Sequence, residues 1–286
     1  MRKLRLYNEC IHGPGSKLQS VSPYFRPHRM IAARLGCCIL PHFLIIGTQR
    51  GGTTSLYNYL VQHPRVKGAL RKEVHYFDFN YSKGLTWYLA HFPVGIHGNT
   101  FLTGESSPYY LFHPDVPKRV AETLPNAKFL VLLRNPVDRA YSQYHHEVKL
   151  GYETLSFEKA INREYALMES QSWGSPTPDM AYAHNHYSYL SRGIYVDQLK
   201  RWMQTIPRER FLILKSEEFY SNPGRVFFQV LDFLRLPRAG PTSFPIHNEG
   251  KYSDLSEVTR SRLNSFFLPH NQRLSSFLGN HFEEWV

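Results

Sequence analysis

The segment Gly47-Thr-Gln-Arg-Gly-Gly-Thr-Thr54 sets three glycines, three threonines and one arginine between an apolar run and a stretch of helical spacing. The N–H groups of such a turn, with a helix N-terminus behind them, cradle an anion. Against the phosphate-loop pattern G-x-x-x-x-G-K-[ST], Gly47, Gly52 and Thr54 fall in place, but Thr53 stands where the lysine belongs. That lysine reaches the outer phosphates of a nucleoside triphosphate. A kinase or NTPase is therefore disfavoured, and the cation of the loop is Arg50. A second pair lies further on. Arg134 ends an apolar run and Ser142 sits two turns into the next helix. Both approach the carboxyl edge of a sheet, where open α/β folds bind ligands. A guanidinium fork with a hydroxyl suits a second, separate phosphate. Taken singly, each feature also has a plainer reading: glycines for close packing, an arginine in a surface ion pair, a serine on an ordinary helix.

Short apolar runs must carry these groups. His42–Gly47, 101–106, 127–133 and 210–215 read as buried strands, each bounded by turn residues. Helical spacing follows at 53–63, 117–124, 136–151 and 223–234, with Pro64 closing the first helix and Pro136 opening the third. Strands alternating with helices predict an α/β chain: a P-loop-like, three-layer fold with a central parallel sheet flanked by helices. No internal repeat or linker interrupts it, so residues 41–286 are read as one domain. Residues 1–40 are read as a basic N-terminal extension. Residues 165–188, with Gly174, Pro176 and Pro178, read as a long loop or lid. Arg192–Tyr195 opens a helix whose Leu199 and Trp202 read as core.

The 286 residues are 42% hydrophobic, enough for a sizeable core. The net charge is +11, of which residues 1–40 hold +6 from seven basic side chains and one acid, leaving +5 for the rest. That remainder is mild and does not require nucleic acid or another polyanion as partner. Three cysteines make no disulfide framework, and no Cys/His spacing fits a metal. The longest apolar stretch, broken by Pro41 and His42, is too short for a transmembrane segment. Cytoplasmic residence is the default expectation. The Arg-rich, acid-poor start leaves organelle targeting as the alternative.

Arg50-Gly-Gly-Thr-Thr-Ser-Leu56 resembles the 5′-phosphosulfate loop of sulfotransferases that use 3′-phosphoadenosine-5′-phosphosulfate (PAPS). Leu133-Arg-Asn-Pro-Val-Asp-Arg-Ala-Tyr-Ser142 resembles their 3′-phosphate motif. Lys72-Glu-Val-His-Tyr-Phe-Asp78 and Gly84–Pro93 are similar to the carbohydrate (heparan sulfate-type) branch and its bacterial relatives. The resemblance runs from about His42 to the C-terminus. It implies a sulfotransferase with PAPS as co-substrate, no metal, and a carbohydrate or small-metabolite acceptor. Sulfation of a hydroxyl is expected, sulfation of an amine is the alternative, and the oligomeric state is left open. A nucleotide- or polyanion-binding module without catalysis is the contrasting reading.

Carried onto these positions, Arg50 replaces the family's lysine at the leaving 5′-phosphate. It keeps the charge but donates a proton less readily. Gly51, Gly52, Thr53, Thr54 and Ser55 supply loop amides and hydroxyls, and Arg134 with Ser142 holds the 3′-phosphate. Glu73 matches the glutamate base. His75 lies on the same face if the segment is extended and assists or orients that base. Lys72 meets an anionic acceptor or the sulfate, and Ser106 and Ser107 line the acceptor pocket. Gly250 and Lys251 either close over the nucleotide or form an exposed turn. The aromatic run Trp87, Tyr88, Phe92 stacks on a sugar or, by its helical spacing, packs in the core.

Overall fold

The computed structural model describes residues 27–95, 100–169, 181–245, 250, 252–279 and 282–285. In chain order come α1 (Pro27–Arg34), β1 (Phe43–Gly47), α2 (Thr53–Leu60), β2 (Val66–Gly68), α3 (Leu85–Leu89) and β3 (Leu102–Ser106). Next are α4 (Val116–Thr123), β4 (Lys128–Leu133), α5 (Pro136–Leu150), α6 (Phe157–Met168), α7 (Ala181–His186) and α8 (Tyr195–Met203). The chain ends with β5 (Phe211–Lys215), α9 (Ser216–Ser221), α10 (Pro223–Leu234) and α11 (Glu257–Leu278). Two compact units emerge. Of the described residues, one holds 27–134 and 199–245, the other 135–198 and 250–285.

The first unit is built on a parallel five-stranded sheet of order β2-β3-β1-β4-β5. Every residue of β1 is buried, as a strand covered on both faces requires. Side chains alternate across the sheet. Phe43, Ile45, Leu130 and Leu132 face Leu56 and Leu60 of α2 and the Val226, Phe227, Val230, Leu231 and Leu234 stripe of α10. In β4, Phe129 points the other way, its ring 5.3 Å from Trp202 and 5.0 Å from Phe211. Trp202 is satisfied there by donating its indole N–H to Leu111 O at 3.2 Å. Helices thus cover the central sheet in the expected three-layer arrangement. α1, within the stretch read as an extension, packs Ala33 against Cys38 and Ala90.

Between β1 and β3 the backbones are tightly registered, with Phe43 opposite Gly104. A Cβ on Gly104 would lie 2.3 Å from Phe43 O and 2.6 Å from its ring. Only glycine fits here. Gly104→Ala is expected to destabilise the protein by about 3 kcal/mol, because a backbone oxygen cannot move aside as a side chain does. Thermal unfolding checks this: an unchanged Tm would mean the strands separate at no cost.

In the second unit, Val137 and Ala140 of α5 meet Phe157, Ala160 and Ile161 of α6 and Leu263 and Phe267 of α11. Asn135 caps α5 by accepting from Val137 N at 3.0 Å, with Pro136 at the first position and Gly151 left-handed at the end. The loop expected at 165–188 is corrected in its described part, since α6 extends to Met168 and α7 occupies Ala181–His186. Burial stabilises both helices. Glu164 accepts from Leu190 N, Ser191 N and Ser191 Oγ, and His186 pairs with Glu147 at 2.9 Å. The centre of the stretch, 170–180, lies outside the described residues.

Candidate active site

Strand β1 ends at the glycine turn, and α2 begins directly behind it. Thr48 N donates to Leu132 O at 2.9 Å, Gly51 N donates to Thr48 O at 3.0 Å, and Ser216 Oγ donates to Gly51 O at 2.8 Å. These bonds fix the turn to β4 and to the start of α9. Gly51 is required because a Cβ would meet Leu132 O at 2.7 Å, and Gly52 adopts φ +96°. First-turn amides of α2 have no intrahelical acceptors, so the loop points donors at whatever lies before it. Thr53 and Ser55 are buried, and Thr54 is half-buried. Arg50 takes a left-handed backbone at φ +70°. Arg134, at the end of β4, donates through Nη1 to Arg50 O at 3.2 Å. Its guanidinium lies 6.0 Å from the centre of the Tyr220 ring. Arg134 is thus tied to the loop, and a guanidinium beside loop amides is a donor set that suits a phosphate.

The neighbouring strand β3 runs parallel to β1, so its carboxyl end opens on the same edge of the sheet. Ser106 N donates to Lys72 O at 3.0 Å and ties the segment carrying Glu73 to that edge. The expected extended segment is corrected here, because His75 turns left-handed at φ +53°. This turn brings its Nε2 to 3.1 Å from Glu73 Oε2 and its Nδ1 to 2.7 Å from Asp78 Oδ2. Lys72 Nζ pairs with Glu73 Oε1. Asp78 is the member that sequence reasoning did not assign, although it ends the quoted motif; nothing in the spacing says that a turn at His75 brings it back. Side-chain exposure falls from 39% at Glu73 through 19% at His75 to 0% at Asp78. Glu73 is the open end of the relay.

Burial disfavours charge on both Glu73 and His75, but their partners prevail. The His75 hydrogen bond and the Lys72 ammonium hold the Glu73 carboxyl down at about 2. Asp78, then Glu73, hold the His75 imidazolium up to about 10. In this state both ring nitrogens of His75 donate. The stabilisation from His75 is complete below the ordinary histidine value and fades as pH rises towards about 10. The part due to Glu73 is complete above the ordinary glutamate value and fades as pH falls towards about 2. NMR titration of His75 is expected to show a ring still protonated at pH 8. Deprotonation near the usual histidine range would mean that the Asp78 contact does not form.

The other candidates are placed as follows. Ser106 and Ser107 are fully buried, and the Ser107 hydroxyl donates to Glu105 Oε2 at 2.6 Å. Tyr88 and Phe92 are buried, as the core reading of that run expects. Ser142, also buried, lies on α5 in the second unit with Gly250, while Lys251 lies outside the described residues.

Comparison with known proteins decides the class. Residues 40–257 match the sulfotransferase domain. The chain belongs to the sulfotransferase family. It is 26% identical to the membrane-associated sulfotransferase kil1 of Dictyostelium discoideum, over 90% of this chain and 69% of that protein. It is 32% identical to the human bifunctional heparan sulfate N-deacetylase/N-sulfotransferase 2, over 85% of this chain but only 30% of that larger protein. A crystal structure of a sulfotransferase from Alicyclobacillus acidocaldarius superimposes with TM-score 0.70 at 29% identity, covering 86% of this chain and 99% of that one. The protein is thus a sulfate-transferring enzyme with a P-loop-like fold. Cytoplasmic residence is corrected by the relatives, of which one is membrane-associated by name. That expectation rested on default, because the chemistry of a domain does not encode its address. Among the described residues no helix is long and apolar enough to cross a membrane.

Proposed function

We propose that this sulfotransferase moves a sulfuryl group from PAPS to a hydroxyl of a carbohydrate or small metabolite, with Glu73 as the general base. The observation that supports this best is the pairing of the Arg50–Arg134 cradle with the Glu73–His75–Asp78 relay on the carboxyl edge of one sheet. PAPS, when bound, supplies an activated sulfate whose leaving group is a phosphate. Arg50 and the α2 N-terminus stabilise the charge gathering on that phosphate, and Arg134 holds the 3′-phosphate. Thr53, Thr54 and Ser55 orient the donor. Lys72, paired with Glu73, faces the acceptor side.

At the acceptor, the sulfur–oxygen bond to the leaving phosphate breaks as a new one to the acceptor oxygen forms, and the acceptor proton passes to Glu73. A carboxylate takes the acceptor proton as bond formation to sulfur makes that proton acidic. His75 keeps the carboxylate aimed, and Arg50 acts by charge alone. Sulfation of an amine is the second reading, supported by the likeness to a protein named an N-sulfotransferase. The test is a panel of hydroxyl and amine acceptors with PAPS, read by mass for a gained sulfate. It is paired with calorimetry of 3′-phosphoadenosine-5′-phosphate against ATP. Tighter binding of the bisphosphate and a sulfated product are expected. Equal or tighter ATP binding would overturn the assignment of the donor.

A further inference from the structure

The segment bearing Glu73 and His75 belongs to no helix or strand, so its backbone N–H groups need acceptors from elsewhere. One buried side chain provides them. Glu105, on β3, accepts from Val74 N at 3.1 Å. Its Oε2 also takes the Ser107 hydroxyl at 2.6 Å, and that hydroxyl accepts from His75 N at 3.2 Å. Its Oε1 takes the Tyr110 hydroxyl at 3.0 Å, and that hydroxyl accepts from Tyr76 N at 2.8 Å and Phe77 N at 3.3 Å. Four successive amides, 74 to 77, thus end on a single carboxylate, directly or through one hydroxyl. Tyr88 OH completes its shell at 3.0 Å. Glu105 is fully buried, and each group donating to it here is a neutral N–H or O–H. On the carbonyl side, Asn80 Nδ2 donates to His75 O at 2.7 Å and Arg119 to Phe77 O at 2.6 Å.

We infer that Glu105 is a positioning residue for sulfuryl transfer: through Ser107 and Tyr110 it holds the left-handed turn at His75 that aims the imidazole between Glu73 and Asp78. A hydrophobic or amide side chain at this place cannot serve both hydroxyls and an amide as acceptor. The inference rests on the reading of Glu73 and His75 as the reacting centre, and it reassigns Ser107 from the acceptor pocket to the support beneath it.

Two variants test it, Glu105→Gln and Ser107→Ala, the second releasing the His75 amide and removing one donor to Glu105. With the acceptor that gains sulfate in the panel above, kcat is expected to fall on the order of 10²-fold in Glu105→Gln, as for a reacting group displaced by about 1 Å. Calorimetric affinity for 3′-phosphoadenosine-5′-phosphate is expected to stay unchanged in both. NMR of the His75 ring is expected to show its titration dropping towards the ordinary histidine range in each variant. If folded variants keep wild-type kcat and the wild-type His75 titration, the inference is overturned. Should Glu105→Gln fail to fold, Ser107→Ala decides alone by the same two readouts. A fully active Glu73→Gln would sink the reading of the reacting centre instead, and the NMR titration would still report whether Glu105 orders His75.

Discussion

Glu73→Gln is expected to lower kcat by about 10²–10⁴-fold, the range over which a positioned general base contributes. The substitution keeps the shape of the side chain and can still accept from His75, so binding of 3′-phosphoadenosine-5′-phosphate should persist. The loss should therefore appear in kcat, with the calorimetric affinity for the bisphosphate unchanged. Its size follows from the role of the carboxylate: an amide oxygen accepts a hydrogen bond but takes no proton at neutral pH. Lys72 and the His75 imidazolium would also lose their anionic partner. The His75 titration should then fall from about 10, since one of the two carboxylates holding it up has gone. Steady-state kinetics together with this titration check both halves. Near-wild-type turnover would remove Glu73 from the reaction.

Arg134→Ala is the second large effect, and it is one of binding. Replacing a guanidinium that forks onto a phosphate removes about 1.5–3 kcal/mol, or roughly 10–150-fold in affinity. Arg134 also donates to the Arg50 carbonyl, so its removal frees one anchor of the loop as well as one phosphate ligand. Calorimetry with 3′-phosphoadenosine-5′-phosphate should show the weakened binding, and saturating PAPS should recover much of kcat. A variant that bound the bisphosphate normally would place Arg134 outside the donor site. Arg134→Lys restores charge without the planar fork and is expected to recover only part of the affinity.

The strands were legible because a parallel sheet buries both faces and writes itself as short, unbroken apolar runs; β1, β3, β4 and β5 start within one residue of the reading. β2, three residues of Val66-Lys-Gly68 on the sheet edge, carries too little apolar sequence to show. The helix α11 went unread because its apolar positions are diluted by polar residues and Pro269 sits within it. In α7, a run of Ala, Tyr, His and Asn has no periodicity to announce a helix, and burial supplies what propensity lacks. At the site, Arg50, Arg134 and Glu73 could be named because motif spacing survives in one dimension. Asp78 and Glu105 could not, since their roles arise from a backbone turn at His75 and from a strand some 30 residues away that meets it.

The order of the sheet bears on how the chain is made. Among the described strands β1 comes first in sequence, yet it lies between β3 and β4, which are synthesised later. On the ribosome, Phe43-Leu-Ile-Ile-Gly47 therefore emerges with both hydrogen-bonding edges open and waits for about 90 further residues before its second neighbour exists. An apolar five-residue strand in that condition is a template for pairing with other chains. Long-range parallel pairing is also slow to form. Low growth temperature and ample chaperone capacity should thus raise the soluble yield of this protein.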